Sequence, residues 1–272
     1  MPIQTYPEGY PDAVAPFAAA VARHLDGELD GLVLAVEFPQ VSSLIGDALV
    51  DVSAMIGEAK ARARAGAAAL SQALQAAAAA AGVPLRCTEA KSVAAMFGDT
   101  VAAQARYHDF VVLGCGANEP AFADTAEVAV FGTGKPVLLV PPEAPAPSFG
   151  HIMVAWDGSR AAARAVADAR EFLDRAKAIS IVSVTDDKPV SASRPAARLA
   201  EYLSRSGKSP GVDDVEGGDR PIAEVLQGHA REEGADLLVM GAFGHSRLRD
   251  FVLGGATRGI LRDLRVPVLL SH

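Results

Sequence analysis

Apolar residues along this chain gather in short continuous runs separated by alanine-rich or polar stretches. Gly31–Phe38 (GLVLAVEF), His108–Gly114 (HDFVVLG), Lys135–Val140 (KPVLLV), Ala178–Thr185 (AISIVSVT), Ala235–Gly241 (ADLLVMG) and Val266–Ser271 (VPVLLS) are such runs. Their lack of polar alternation reads as strands buried on both faces. In the carboxy-terminal half the pattern predicts a strand over Ile152–Trp156 and a turn at Asp157, Gly158 and Ser159, where Asp or Ser can cap a helix running to about Ala176. A strand over Ile179–Val184, a helix over Pro195–Ser204, a weak strand over Val212–Val215 and a helix over Pro221–Glu233 follow. A strand over Asp236–Met240, a helix after Leu253 and a strand over Val266–Leu270 complete the unit. Alternating strands and helices imply a parallel sheet covered on both faces, whose ligands bind beyond the carboxyl ends of the strands. The turns after Trp156 and Met240 lie at that edge.

The runs also repeat in order. ADLLVMG matches HDFVVLG, VPVLLS matches KPVLLV, and AISIVSVT matches GLVLAVEF. The stretch from Asp109 to Pro136 is four residues shorter than its counterpart from Asp236 to Pro267. Between the copies lies Pro141–Ser148 (PPEAPAPS), which can continue neither a helix nor a sheet ladder. The expected architecture is therefore α/β: two tandem, doubly wound, parallel five-stranded sheets of Rossmann-like form, with domains over residues 1–143 and 149–272. In the first copy the segment Leu49–Ala81 is long, alanine-rich and strongly helix-prone, which suits packing or a partner surface.

Composition narrows the function. The chain has 272 residues, half of them hydrophobic, enough for a large core without disulfides, and only two cysteines, Cys87 and Cys115. A net charge of −8 argues against a nucleic-acid surface. No apolar segment is long enough to span a bilayer and the first residues carry no secretory pattern, so the expectation is a cytoplasmic protein without a membrane or nucleic-acid partner.

The segment richest in candidate chemistry is Gly241–Thr257, GAFGHSRLRDFVLGGAT, directly after a predicted strand. Gly241 and Gly244 permit close backbone approach, so their amides can turn toward an anion. Gly254 and Gly255 precede a helix whose first amides and dipole point the same way. Thr257 can add a hydroxyl. His245 and Arg247 can supply donors or positive charge near a terminal phosphate, although His245 fits a solvated loop equally well. Asp157 suits either a helix cap or a ribose contact. Two other matches fail. Gly132–Lys135 (GTGK) lacks the first glycine and the final hydroxyl of a P-loop, with Ala129 and Pro136 in their places. Gly244–Leu248 (GHSRL) lacks the second glycine of a hydrolase elbow. No catalytic or metal-binding constellation stands out, so the expectation is not an enzyme.

With glycine, two residues, glycine, nine residues, glycine and then small residues, the second copy resembles the nucleotide-binding universal stress proteins, whose fold is adenine nucleotide alpha hydrolase-like. The resemblance implies that Ala155, Trp156 and Asp157 line the adenine and ribose end, that Val184 packs on the base and that Met240 and Gly241 border the ribose. It assigns Gly244, Gly254, Gly255, Ala256 and Thr257 to the phosphates. The implied ligand is ATP, with or without Mg²⁺, and the implied role is a stress-response sensor or regulator. A slow ATPase and a nucleotide-free interaction module are the alternatives. Gly255 departs from the family, which usually carries serine there; a lost neutral hydrogen bond is worth about 0.5–1.5 kcal/mol, so affinity falls several-fold. Trp156 is bulky for its turn and either stacks on a ring or crowds it. The first copy has CGANEPAFADTAEV in place of the glycine loop, with Asp124 near the position of Gly255, and TYPEGYPD in place of an apolar first strand. No nucleotide is expected there. The last strands of the family pair between subunits, so KPVLLV and VPVLLS are expected to form an internal version of that dimer. A further homodimer and an unidentified protein partner remain open.

Overall fold

A computed structural model of the chain describes residues 1–10, 13–38, 52–115, 120–185, 195–242 and 255–272. In the first half, β1 (Pro2–Ile3), α1 (Val14–His24), β2 (Leu29–Glu37), α2 (Val52–Ala81) and β3 (Leu85–Val93) are followed by α3 (Phe97–Ala105), β4 (Val111–Gly114), α4 (Pro120–Gly132) and β5 (Val137–Val140). In the second half, β6 (His151–Ala155), α5 (Arg160–Asp168), α6 (Arg170–Arg175), β7 (Ala178–Thr185) and α7 (Pro195–Ser204) precede β8 (Gly211–Glu216), α8 (Ile222–Glu232), β9 (Leu237–Gly241), α9 (Gly255–Arg262) and β10 (Val268–Ser271). The α/β character and the parallel pairing expected from the apolar runs are present. β9 and β10 are buried almost throughout because helices cover both faces.

The strand count differs from two sheets of five. A three-stranded sheet has the order β1-β2-β3, and a seven-stranded sheet has the order β4-β5-β10-β9-β6-β7-β8. β5 and β10 pair antiparallel, with Leu139 opposite Val268 and Val137 opposite Leu270, so the two repeated PVLL segments do lie side by side within one chain. The first half splits because β1 is two residues long and begins at Pro2, while Pro7 follows within the same opening segment. A proline has no N–H to give to a ladder. β1 lies beside β4 without pairing to it.

In the second half the winding runs β6 to β7 to β8 in one direction and β9 to β10 in the other, all parallel. The reversal falls between β6 and β9, and the crevice above such a reversal is where doubly wound sheets take ligands.

The halves share an aromatic core. Phe149, just after the proline-rich linker, packs edge-on against Phe17 at 5.9 Å and against Phe172 of α6 at 5.0 Å. His24 lies parallel to Phe172 at 5.5 Å, and the Arg175 guanidinium donates to the His24 carbonyl and to the Asp26 carboxylate. Among the described residues no helix is long and apolar enough to cross a membrane.

Candidate functional site

Four segments of the second half converge on the carboxyl edge of β7, β6 and β9. Ala155 ends β6 in register with Val182 of β7. The Trp156 amide donates to the Val182 carbonyl at 2.8 Å, and the Ser183 hydroxyl donates to the Trp156 carbonyl at 2.8 Å, which ties the turn to β7. Val184 stands two residues further along β7 and is half-buried. Met240 and Gly241 end β9, in register with Leu270 and Ser271.

The turn after β6 resolves the choice of cap. Ser159 caps α5, its hydroxyl accepting from the Ala162 amide at 3.1 Å. Asp157 instead accepts from the Ser159 amide at 2.8 Å and shapes the turn, with Gly158 at φ +75°. Trp156 lines a cavity of about 680 Å³ between α5 and α7, beside Val166, Leu199 and Tyr202. Its indole nitrogen is buried without a hydrogen-bond partner. The Trp156 ring thus meets the helix layer beside the crevice.

Gly241 is required by packing before any ligand is considered. A Cβ there would collide with the backbone of Ala161 and Ala162, because the first turn of α5 lies directly on this residue. Gly255 differs: it is exposed at the start of α9, and among the described residues a Cβ would meet nothing within 4 Å. Ala256 is half-buried and Thr257 is 2% exposed. The positive end of the α9 dipole lies at Gly255, an arrangement suited to an anion. Gly244, His245, Arg247 and Gly254 lie outside the described residues.

The equivalent place in the first half is filled. Gly114 ends β4 as Gly241 ends β9, and a Cβ on it would sit 3.0 Å from the ring of Tyr10. Tyr10 is 7% exposed and packs on Phe122 of α4 with centroids 4.9 Å apart. Burial drives the Tyr10 phenol far above its usual range and the adjacent Cys115 thiol up to about 12, so both stay neutral. The sequence showed the missing glycine loop but not this plug, since Tyr10 sits in a proline-flanked stretch without periodicity. The rejected GTGK stretch forms a turn into β5, with Gly134 at φ +67° and the Thr133 hydroxyl accepting from the Lys135 amide at 3.0 Å.

The strand order defines the second half as a doubly wound parallel α/β domain. Residues 148–272 match the model of the universal stress protein family. A universal stress protein of Synechocystis sp. is 46% identical over 54 residues, which cover 17% of this chain and 19% of that relative. The crystal structure of a universal stress protein from Archaeoglobus fulgidus DSM 4304 is similar over 95% of this chain and 92% of its own, with a TM-score of 0.66 at 17% identity. A provisionally assigned universal stress protein from Pseudomonas aeruginosa UCBPP-PA14 is similar over 93% of this chain and 86% of its own, with a TM-score of 0.53 at 18% identity. These two structures support the fold along nearly the whole chain, including the half that the family model does not match.

Proposed function

We propose that the second half binds ATP in the crevice between β6 and β9 and that the protein acts as a cytoplasmic stress-response sensor or regulator. Nucleotide occupancy would shift its conformation or its partners rather than feed a reaction. The observation that carries this reading is the convergence of Ala155, Asp157, Val184, Met240 and Gly241 on the carboxyl edge of one parallel sheet, at the reversal of its winding. Ala155, Trp156 and Asp157 would meet the ribose and base, and Val184 would lie against the adenine. Gly255, Ala256 and Thr257 at the start of α9 would hold phosphate oxygens, together with Gly244, His245, Arg247 and Gly254, which precede them in sequence. A Mg²⁺, where present, would take most of its ligands from phosphate and water.

Calorimetry with ATP and AMP, followed by a phosphate-release assay, tests the reading. Heat with ATP and no release above background is expected. Absence of heat with both nucleotides leaves an interaction module, and release that scales with protein makes the domain a slow ATPase.

A further inference from the structure

We propose that the first half carries a separate binding site for a small amphipathic organic anion, in the layer between α2 and the β2-β3 sheet. The helix is fixed over the sheet at two points. Leu74 of α2 lies against Gly31, where an added Cβ would be 3.1 Å from its Cδ2 atom, and the Thr5 hydroxyl donates to the Ala63 carbonyl at 2.8 Å. Side chains alternate along a strand, so Val33, Ala35 and Glu37 share the face of Gly31. Their parallel partners bring Glu89 and Lys91 to the same face, opposite Val33 and Ala35.

Between the two fixed points the facing residues are small. Ala35, Ala63 and Ala67 line a cavity of about 370 Å³, within the roughly 300–1,000 Å³ of small-molecule sites. Apolar atoms of Val33 and these alanines form its floor. Lys60 and Arg64, one turn apart on α2, and Lys91 from β3 stand around it. Among the described residues none of the three makes an ion pair. Glu37 and Glu89 line the same cavity without reaching them. Like charges four residues apart on a helix repel, and a bound anion would remove that repulsion. Arg64 offers a planar fork for two oxygens, and the lysines add point charges. The ligand is therefore a phosphate ester or carboxylate with an apolar body. The site uses no residue of the β6–β9 crevice and does not depend on the function proposed for it.

Pyridoxal 5′-phosphate tests this, because it pairs an anion with an aldehyde that reports the nearest lysine. The full chain is treated with the reagent, reduced with borohydride and mapped by mass spectrometry. Lys60 or Lys91 should be labelled at least about tenfold above the other lysines, and Arg64→Glu should abolish that preference with the circular dichroism spectrum unchanged. Protection by inorganic pyrophosphate assigns a phosphate ligand, and protection by octanoate assigns a carboxylate. Even labelling of all lysines, preference unaffected by Arg64→Glu, or protection by neither competitor would overturn the proposal.

Discussion

The two halves end their fourth strands on matching glycines, Gly114 and Gly241, and cover them differently. In the second half the backbone of α5 lies on the glycine, next to the reversal of winding between β6 and β9. In the first half the Tyr10 ring lies on it, braced by Phe122, where the second half has the first turn of α5. The strand order is alike in the two halves apart from the ladder that β1 does not make with β4. The antiparallel β5–β10 pair and the Phe17, Phe149 and Phe172 cluster join the two halves.

Removing the plug strains this comparison most. Tyr10→Ala should lower stability by about 3–5 kcal/mol, as for other buried aromatic truncations, measured as a fall in the urea midpoint. It should not create a nucleotide site, because the glycine spacing is still absent from the first copy; a second bound nucleotide would refute the division of labour. Next come the paired glycines. Gly241→Ala sets a Cβ against helix backbone that cannot move alone and should cost about 3 kcal/mol. Gly114→Ala meets the side chain of Tyr10, which can give way, and should cost about 1 kcal/mol. Equal losses in denaturant titrations would mean that the two glycines are covered alike.

Smaller effects sharpen the picture of the site. Gly255→Ser meets nothing within 4 Å among the described residues and adds the hydroxyl that the family resemblance leads one to expect there. Calorimetry should show ATP affinity rising several-fold, by about 0.5–1.5 kcal/mol, with the urea midpoint unchanged. An unchanged affinity would remove Gly255 from the phosphate contacts. The smallest effect concerns the joint between halves. Burial, and then the nearby Arg175, hold His24 below its ordinary value of about 6.5. The unfolded chain therefore takes up this proton first as pH falls. The contribution of neutral His24 is complete above about 6.5 and is lost as pH drops toward the lowered folded value. His24→Phe should flatten the fall of the urea midpoint between about pH 7 and pH 5; the same slope in both proteins would exclude His24 as its source.

Much of the second half was legible because its strands are continuous apolar runs and its turns carry glycine, serine and proline. The helix over 195–204 follows directly from that pattern, and the strands expected to end at Trp156 and Met240 end one residue away, at Ala155 and Gly241. The first half was harder to read. β3, with the sequence LRCTEAKSV, escaped notice because it is a largely exposed edge strand without an apolar run. The three-plus-seven arrangement depends on which ladder Pro2 and its neighbours fail to make, and local patterning does not report a missing ladder. At the candidate site, the glycine spacing pointed to the end of β9. Packing alone reveals that Gly241 also seats α5, that Ser159 is the cap and that the Trp156 ring lies on the helix side of the turn.

The central claim is that one half binds nucleotide and the other is closed to it. Equilibrium dialysis of the full chain against labelled ATP tests this directly. The account predicts one nucleotide per chain, lost in Gly244→Val and kept in Tyr10→Phe; none per chain, or two, would contradict it.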